Sequence, residues 1–359
     1  MKLFEGFDLK GLKLSSRLVM APLTRRRATR AHDPVDIMRI YYSQRAGVGL
    51  IIAEGTSPSP NGAGYANIPG LYSKEQARLW RSITDGVHEA GGKIVLQMMH
   101  TGRVAHSNNL PDGARVIAPS AIAQAGEITT YDLGKVQYPV PEEMTMSDIH
   151  NTVNEFIKCS ELSIEAGFDG IEIHSAHGYL PNQFLNRSSN TRTDEYGGER
   201  ENRMRFLFEI IEGCSSTIGP EKVGLRISPF SHADLHEDQD ELIALYTLLV
   251  EKLNEMDLSY LHLSHMGESV PIKFELWKTL RKIYKGNLIL CGDFTKTSAE
   301  QALQNGDADL IAFGRDLIAN PDLVERFKND WPLAERDRTY WYTQGPRGLI
   351  DHPNYERNE

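Results

Sequence analysis

Short apolar runs alternate along the chain with longer stretches in which apolar residues recur every three or four positions. The short runs are typical of buried parallel strands, and the longer spacing predicts amphipathic helices. The predicted strands are Leu18–Met20, Leu50–Ala53, Ile94–Met98, Gly170–His174, Val223–Ser228, Tyr260–Ser264, Leu288–Cys291 and Leu310–Phe313. The predicted helices span residues 35–46, 74–90, 147–166, 199–217, 238–256, 272–284, 297–305 and 320–329. Eight strand–helix units in series predict an α/β fold, a closed (β/α)8 TIM barrel, because each crossover helix covers the outer face of the sheet.

Two segments depart from this regular spacing. Residues 3–14 precede the first strand and are predicted to form an N-terminal hairpin that closes the bottom of the barrel. Residues 99–146 form a long connection after the third strand, and loops of this length in a compact domain are usually functional. Because barrel enzymes keep their chemistry at the carboxyl ends of the strands, we expect this segment to be a lid, or capping insertion, over the mouth. No linker interrupts the series, so residues 1–359 are predicted to form one domain.

Composition narrows the classes of function. The chain has 39 Lys and Arg against 49 Asp and Glu, a formal net charge of −10, whereas a nucleic-acid-binding protein is expected to carry a basic surface. No run approaches the roughly 20 apolar residues that span a bilayer, and the charged N-terminus does not resemble a secretory signal. The three cysteines (Cys159, Cys214 and Cys291) lie far apart, so we interpret them as buried thiols of a reducing compartment. We therefore expect a cytoplasmic protein that binds neither nucleic acid nor membranes.

Polar residues stand at the ends of the predicted strands. Thr24 follows the first strand, where its hydroxyl could contact a ligand in the barrel mouth or satisfy its own turn. Gln97 lies between apolar residues of the third strand, so its side chain is expected to point into the barrel. A buried amide needs partners, which a ligand or the protein core could supply.

Two histidines and a tyrosine follow the fourth strand. His174 and His177 are three residues apart and Tyr179 is close by, so the three side chains could converge on one atom of a ligand. A metal pair is one alternative, with the third ligand supplied by His100, His262 or His265. The other alternative is a pair of hydrogen-bonded structural histidines.

An arginine lies inside the apolar fifth strand, and glycines follow the seventh and eighth strands. Arg226 would be costly to bury without an anionic partner, which could be Glu172 on the neighbouring strand or a negatively charged ligand. Gly292, and Gly314 with Arg315, occupy the positions where barrel enzymes bind phosphate, because backbone N–H groups can approach closely there. Together these residues favour a phosphorylated, planar, redox-active cofactor over a bare metal ion.

The chain resembles the Old Yellow Enzyme family of FMN-dependent ene-reductases over nearly its whole length. The resemblance rests on APLTR at 21–25, QMMHTGR at 97–103, HSAHGYLPNQFLNRSSNTRTDEYGG at 174–198, LRIS at 225–228, FGR at 313–315 and ANPDL at 319–323. Within the family it is most similar to the branch of the bacterial pentaerythritol tetranitrate and N-ethylmaleimide reductases and the plant oxophytodienoate reductases.

The resemblance implies non-covalently bound FMN, with NADPH or NADH as the reductant in the same pocket. It implies that Thr24, after Pro22 and Leu23, contacts the flavin's O4 edge, and that Gly55 brings its backbone close to the ring. The residues that it assigns to the cofactor are Pro22, Leu23, Thr24, Gly55, Gln97, Arg226, Gly292, Asp293, Gly314 and Arg315.

For the reaction, the resemblance implies that His174 and His177 bind the carbonyl or nitro oxygen of the substrate. Hydride from flavin N5 would then reach the β-carbon, and Tyr179 would deliver a proton to the α-carbon. The implied substrates are small electrophilic alkenes, in a pocket that also includes Met99 and Tyr342.

Two residues and two segments depart from the family pattern. Met99 stands where related reductases often carry Trp, which implies a more flexible pocket wall. The carboxylate of Asp293 would repel a phosphate, so its side chain is expected to turn away. Residues 348–353 replace two tyrosines common in the C-terminal tail, and residues 266–269 form a short segment after the sixth strand that would leave the pocket more open.

Three other functions compete with ene-reduction. The same flavin site could reduce nitroesters or nitroaromatic compounds, because the histidine pair would bind a nitro group equally well. A metal-dependent barrel hydrolase could use the strand-end histidines, although a His-x-His after the first strand is missing. A flavin-storing or flavin-sensing protein would bind the cofactor without turnover.

Overall fold

The computed structural model describes residues 1–231, 237–265 and 271–356. Eight parallel strands close into a barrel, which confirms the predicted (β/α)8 fold. In barrel order these strands are β3 (Leu18–Met20), β4 (Leu50–Ile52), β5 (Ile94–Met98), β10 (Gly170–Ser175), β11 (Val223–Ile227), β12 (Tyr260–Ser264), β13 (Leu288–Cys291) and β14 (Leu310–Phe313).

Helices follow the strands around the outside of the barrel. They are α1 (Asp36–Ser43), α2 (Lys74–Glu89), α3 (Met146–Glu165), α4 (Leu180–Leu185), α5 (Arg200–Ile218), α6 (Gln239–Leu253), α7 (Pro271–Ile283), α8 (Lys296–Asn305), α9 (Arg315–Ala319) and α10 (Leu323–Asn329). The helix predicted at 320–329 begins later, at Leu323, and is preceded by the separate α9. The reason is Pro321, since the residue before a proline avoids the helical conformation and Asn320 is accordingly not helical.

The core has two layers, which explains why the barrel strands are apolar on both faces. The larger layer packs the helices against the outside of the barrel, as with Trp80 of α2 and Phe206 of α5, neither of which is exposed. The smaller layer fills the barrel interior with residues such as Val19, Ile52 and Ile289. Buried on both faces, each strand reads as a continuous apolar run instead of an alternating one.

An antiparallel hairpin of β1 (Phe7–Leu9) and β2 (Leu12–Leu14) stands at the N-terminus, within the segment predicted for it. Leu9 and Leu14 are buried in the barrel-interior cluster, which includes the first residues of several strands, among them Leu50 and Leu310. The hairpin therefore closes the barrel at the end opposite to the carboxyl ends of the strands.

The connection at 99–146 carries small elements of its own. They are β6 (Ile117–Ala118), paired in parallel with β9 (Glu142–Glu143), and the antiparallel pair β7 (Glu127–Thr129) and β8 (Lys135–Gln137). Only Met99, at its start, lines the cavity described below, among the residues that the structure describes. The role of this segment as a lid stays a prediction.

Strand register places the polar residues of the barrel interior side by side. Glu172 on β10 is level with Gln97 on β5, and Arg226 on β11 is level with His174 on β10 and His262 on β12. Gly224, two residues before Arg226, leaves room for Tyr260, because a Cβ at Gly224 would lie 2.3 Å from the Tyr260 ring. A charged and hydrogen-bonding layer thus crosses the barrel just below its mouth.

None of the helices built from the described residues is both long and apolar enough to cross a membrane. The three cysteines are free thiols, and Cys159 and Cys214 are buried as expected.

Candidate active site

A cavity of about 560 Å³ opens at the carboxyl ends of the barrel strands. The predicted site residues that line it are Pro22, Leu23, Thr24, Gln97, Met99, His174, His177, Tyr179, Arg226, Gly292, Asp293, Gly314, Arg315 and Tyr342. Gly55 is the one predicted site residue that does not line the cavity. A Cβ at Gly55 would come within 2.5 Å of the sulfur of Met99, which does line the cavity. The structure therefore brings together residues from both halves of the sequence at the position expected for a barrel enzyme.

The floor of the cavity rests on a buried ion pair. Glu172 accepts hydrogen bonds from Gln97 Nε2 at 2.7 Å and from His262 Nδ1 at 2.8 Å. Burial opposes the charged form of both partners, yet their mutual attraction lowers the pKa of Glu172 and raises that of His262. Glu172 is therefore bonded to His262 and, among the described residues, forms no close ion pair with Arg226, although the charge of Arg226 also lowers its pKa.

Arg226 is 5% exposed and presents donors to the cavity. Its Nη2 donates to Ser264 Oγ at 2.8 Å and lies 3.9 Å from the Cys291 sulfur. Its Nε has no hydrogen-bond partner in the part of the chain that the structure describes. A buried cation with an unused donor is a site for an anionic or strongly accepting group of a ligand.

Cys291 differs from the other two cysteines. It is partly exposed and lines the cavity, so its interpretation as an ordinary buried thiol is wrong. Burial raises the pKa of a thiol, but a hydrogen bond with His262 and the positive charge of Arg226 outweigh that effect and lower the pKa of Cys291.

His174 and His177 face the same region of the cavity. Their ring centroids are 5.8 Å apart, and the rings are nearly perpendicular at 88°. Burial and the positive charges of Arg226 and His262 hold the pKa of His174 well below its usual value, so the ring is neutral. Its Nδ1 accepts from the N–H of Ala176 at 3.3 Å, which leaves the ring proton on Nε2 as a donor.

A hydroxyl group connects His177 to Arg226. Ser264 Oγ lies 2.8 Å from His177 Nε2 and accepts from Arg226 at the same distance. Because the hydroxyl already accepts from Arg226, it can donate its own hydrogen to Nε2 and so keep the proton of His177 on Nδ1. The backbone N–H of His177 donates to Ser228 Oγ at 2.8 Å, which fixes a residue in the left-handed conformation at φ 57°.

Tyr179 packs edge-on against His174, with ring centroids 4.8 Å apart. Its hydroxyl donates to the hydroxyl of Tyr65 at 3.3 Å. Burial raises the pKa of Tyr179 above its usual value, so the phenol keeps its proton at neutral pH. A neutral imidazole with a donor nitrogen and a protonated phenol are therefore held side by side.

The opposite end of the cavity is built by glycines and an ion pair. A Cβ at Gly292 would meet only Phe294, at 3.8 Å, and one at Gly314 would touch Leu23 at 3.4 Å. Packing against neighbouring side chains therefore does not explain why glycine stands at either position. Close approach of a ligand to the backbone does explain it. Arg315, at the start of α9, forms an ion pair with Asp293.

The expectation that the side chain of Asp293 turns away from a bound phosphate stays a prediction. Asp293 lines the cavity, and its carboxylate pairs with the guanidinium of Arg315. Both side chains are substantially exposed, so the pair contributes little stability and leaves the arginine able to change partner.

Sequence reasoning missed several residues of the site. Ser264 lies two positions after His262 on β12, so the alternation of a strand could have placed it in the mouth. Tyr65 lies on a loop and the tail residues Arg336, Arg338 and Trp341 are far away in the sequence, and no local pattern signals them. The short segment predicted at 266–269 lies outside the described residues.

The structure bears on the alternative of a metal centre built from the strand-end histidines. No group of three potential metal-ligating side chains occurs within the described ranges. His100 is fully buried and accepts from the N–H of Gly102 at 3.1 Å, while His262 is bonded to Glu172. The described residues therefore do not assemble the ligand set that the hydrolase alternative requires.

Comparison with known proteins agrees with this geometry. The sequence model of the NADH:flavin oxidoreductase / NADH oxidase family matches residues 2–334. A probable flavin mononucleotide-dependent alkene reductase of Leishmania infantum is 41% identical over 348 residues, which cover 96% of this chain and 94% of that protein. The 12-oxophytodienoate reductase 7 of Oryza sativa subsp. japonica is 38% identical and covers 98% of this chain and 94% of its own.

Two solved structures share the whole fold. The Old Yellow Enzyme homologue from Zymomonas mobilis superposes with a TM-score of 0.93 at 37% identity, covering 99% of this chain and 100% of that one. Morphinone reductase in complex with tetrahydroNAD gives a TM-score of 0.91 at 37% identity, covering 99% of this chain and 98% of that one.

Proposed function

Because the chain belongs to the NADH:flavin oxidoreductase / NADH oxidase family, with Old Yellow Enzyme homologues among its relatives, we propose that it reduces the activated C=C bond of α,β-unsaturated carbonyl compounds and nitroalkenes. The chain is an FMN-dependent oxidoreductase that takes its electrons from NADH or NADPH. The observation that carries the finer assignment is the convergence of His174, His177 and Tyr179 in one cavity.

The cavity residues fit FMN. The unused Nε of Arg226 suits the electron-rich edge of an isoalloxazine, where a positive charge is most useful when negative charge develops. Gln97 lines the same cavity, with its Nε2 held by Glu172. Gly292, Gly314 and Arg315 would hold the phosphate, since backbone donors and a guanidinium suit that group. Bound FMN supplies hydride chemistry to this site, and NADPH or NADH replenishes it.

The histidines bind and orient the substrate. His174 donates from Nε2, and His177 can donate from Nδ1, to the carbonyl or nitro oxygen. Two donors on this oxygen withdraw electrons from the conjugated double bond and stabilise the negative charge that develops as the β-carbon is reduced. The low pKa of His174 keeps it a neutral donor, so the site does not lose this hydrogen bond as the pH rises through neutrality.

Tyr179 supplies the proton. Its phenol is protonated, lies against the His174 ring, and is held by Tyr65. A proton passed from Tyr179 to the α-carbon completes the reduction, and solvent later reprotonates the phenolate.

A comparison of acceptors tests this proposal. The FMN-loaded protein is reduced with NADPH in the absence of oxygen and mixed with enones, nitroalkenes or nitrate esters in a stopped-flow spectrometer. We expect enones and nitroalkenes to reoxidise the flavin and to be recovered as saturated products. Faster reoxidation by nitrate esters would favour the nitroester reductase, and no reaction with any acceptor would favour a flavin-storing protein.

The histidine pair gives the next prediction. Replacing His174 or His177 by alanine should weaken the binding of phenolic ligands by about tenfold or more, because each variant removes a donor to the ligand oxygen. The measurement is a titration of the long-wavelength charge-transfer band of the oxidised holoenzyme. If both variants bind the phenolic ligands as tightly as the unmodified enzyme does, the oxygen of the ligand is bound elsewhere.

Ser264 provides a test of the hydrogen-bond chain behind that pair. Ser264→Ala should weaken binding of the same phenolic ligands by about tenfold, because it removes the hydroxyl that holds both His177 and Arg226. Ser264→Thr keeps a hydroxyl and should restore most of the affinity. Titrations at several pH values distinguish a hydrogen-bonding role of Ser264 from a packing role. Loss of packing alone would leave the pH dependence of ligand binding unchanged. Equal binding by Ser264→Ala and the unmodified enzyme would contradict the chain.

A further inference from the structure

Three consecutive arginines follow the first barrel strand, and two of them hold the C-terminal tail. Arg25 and Arg27 are 1% and 3% exposed. Arg25 Nη2 donates to the carbonyl oxygen of Gly348 at 2.6 Å, and Arg27 Nη1 donates to that of Trp341 at 2.8 Å. Their guanidinium groups therefore fix the tail beside the cavity, although Arg25 Nη1 has no hydrogen-bond partner among the described residues.

Arg26, between them, is turned to the cavity. Its backbone has φ 55°, in the left-handed region that residues with a Cβ rarely adopt. Its side chain does not share the tail-carbonyl contacts of its neighbours, and the residue lines the cavity. A strained backbone at a cavity is a reason to look for a function of the side chain.

Aromatic rings hold the guanidinium of Arg26 in place. Its Cζ lies 5.3 Å from the ring centroid of Tyr65 and 5.4 Å from that of Tyr342, both within the range of cation–π contacts. Within the described part of the chain, no carboxylate pairs with this guanidinium and its Nε has no hydrogen-bond partner. Rings stabilise an arginine through its π-system but leave its N–H groups available for a planar anion.

The guanidinium of Arg26 lies close to the proposed proton donor, Tyr179. Tyr65 contacts Arg26 with its ring and Tyr179 with its hydroxyl, so a single side chain separates the guanidinium from the proposed proton donor. The arginines Arg315 and Arg336, which also line the cavity, are instead paired with Asp293 and Asp316. Arg26 is thus an unpaired cation close to the chemistry, in a protein whose net charge is −10.

We propose that Arg26 binds a carboxylate carried by the substrate, so that the preferred substrates are electrophilic alkenes with an acidic side chain. This assignment rests on the proposed ene-reductase function and adds the class of substrate to it. Bidentate hydrogen bonds from a guanidinium match a carboxylate, and they orient the far end of the molecule while the histidines bind the carbonyl oxygen. A phosphate of the nicotinamide cofactor shares this chemistry, so the experiment separates the two sources.

The test compares a cyclic enone that carries a short carboxylate side chain with the methyl ester of the same compound. The measured quantity is the ratio of kcat/KM for the acid to that for the ester, with NADPH as the reductant. The unmodified enzyme should prefer the acid, and Arg26→Gln should lower the ratio by about tenfold, the usual effect of removing one charge-assisted hydrogen bond. Arg26→Lys keeps the charge and should retain part of the preference.

Arg338 offers a matched control. It also lines the cavity and stacks on Trp341, but it is exposed at the rim. Arg338→Gln removes the same charge and should leave the ratio of acid to ester unchanged. An equal fall in both variants would mean that the general field of the rim attracts the acid, and would overturn the specific role of Arg26.

Two further readouts keep the test decisive if a variant folds poorly. Binding of 4-hydroxyphenylacetate and of its amide, followed by the charge-transfer band of the oxidised enzyme, should show the same preference without turnover. In the unmodified enzyme, the preference for the acid should fall as salt is raised, because Arg26 is partly exposed.

The outcomes also separate this inference from the function on which it rests. If neither the acid nor the ester is reduced, the ene-reductase proposal fails. If both are reduced and the ratio is insensitive to Arg26, only the carboxylate site fails. A rise in the KM for NADPH without a change in the ratio would show that Arg26 binds the cofactor phosphate, and would overturn the substrate assignment.

Discussion

Tyr179→Phe should slow the reduction of an enone by about 10²- to 10⁴-fold, the usual contribution of a positioned general acid. Phenylalanine keeps the ring that packs against His174 at 4.8 Å, so the substrate-binding side of the cavity should keep its shape. Only the hydroxyl, which holds the proton and contacts Tyr65, is lost. Flavin reduction by NADPH should change much less, because that step requires no proton from the tyrosine.

Stopped-flow kinetics measure the two half-reactions separately. The matched control is Tyr65→Phe, which removes the hydrogen-bond partner of Tyr179 but leaves the acid in place, and it should slow the enone step far less. An enone step of normal speed in Tyr179→Phe would mean that water or another residue supplies the proton. A comparable loss in both half-reactions would instead indicate that the substitution disturbs the cavity as a whole.

The barrel could be predicted from the sequence because each of its strands is buried on both faces. Short apolar runs such as Leu18–Met20 and Leu310–Phe313 carry that signal directly, and their observed bounds agree with the predicted ones. The boundary of the last helix was less accurate, although Pro321 already indicated that no helix could continue through Asn320. Helix ends depend on a few local contacts, whereas strand positions follow from the whole core.

Candidate site residues could be predicted wherever they lie at a strand end. His174, Arg226 and Gln97 owe their positions to strand register, which the sequence pattern determines. The place of the Arg26 side chain at the cavity could not be predicted from the sequence. Its backbone is left-handed, and nothing in a run of three arginines indicates that conformation. Tyr342 was identified only through the family resemblance, since its place at the cavity depends on tail contacts with residues more than 300 positions away.

Ion-pair partners are difficult to predict from a sequence alone. Glu172 is one of the two partners that the sequence suggests for Arg226, but in the structure it bonds to His262, on the next strand but one. Asp293 pairs with Arg315, which is 22 positions away, and the sequence does not indicate this pairing. In both cases an unforeseen side chain supplied the opposite charge, and such pairings depend on ångström-scale distances that spacing along the chain does not give.

The last prediction concerns Arg226 and the cofactor. Arg226→Met should weaken FMN binding by about 10²-fold or more, because it removes a buried cation with an unused donor, and hydrogen bonds to charged groups contribute about 1.5–3 kcal/mol each. Methionine has a similar length and leaves the ion pair of Glu172 and His262 intact. Fluorescence titration of the apoprotein with FMN measures the affinity.

A second readout for the same variant does not depend on the cofactor. The positive charge of Arg226 contributes to the low pKa values of His174 and Cys291, so both should rise in Arg226→Met. Alkylation of the cavity thiol in the apoprotein should then slow at neutral pH, because the fraction of thiolate falls. Arg226→Lys keeps the charge but not the planar fork, so it should keep the thiol reactive while still binding FMN more weakly. Unchanged FMN affinity in Arg226→Met would mean that the cofactor's electron-rich edge is held by other residues.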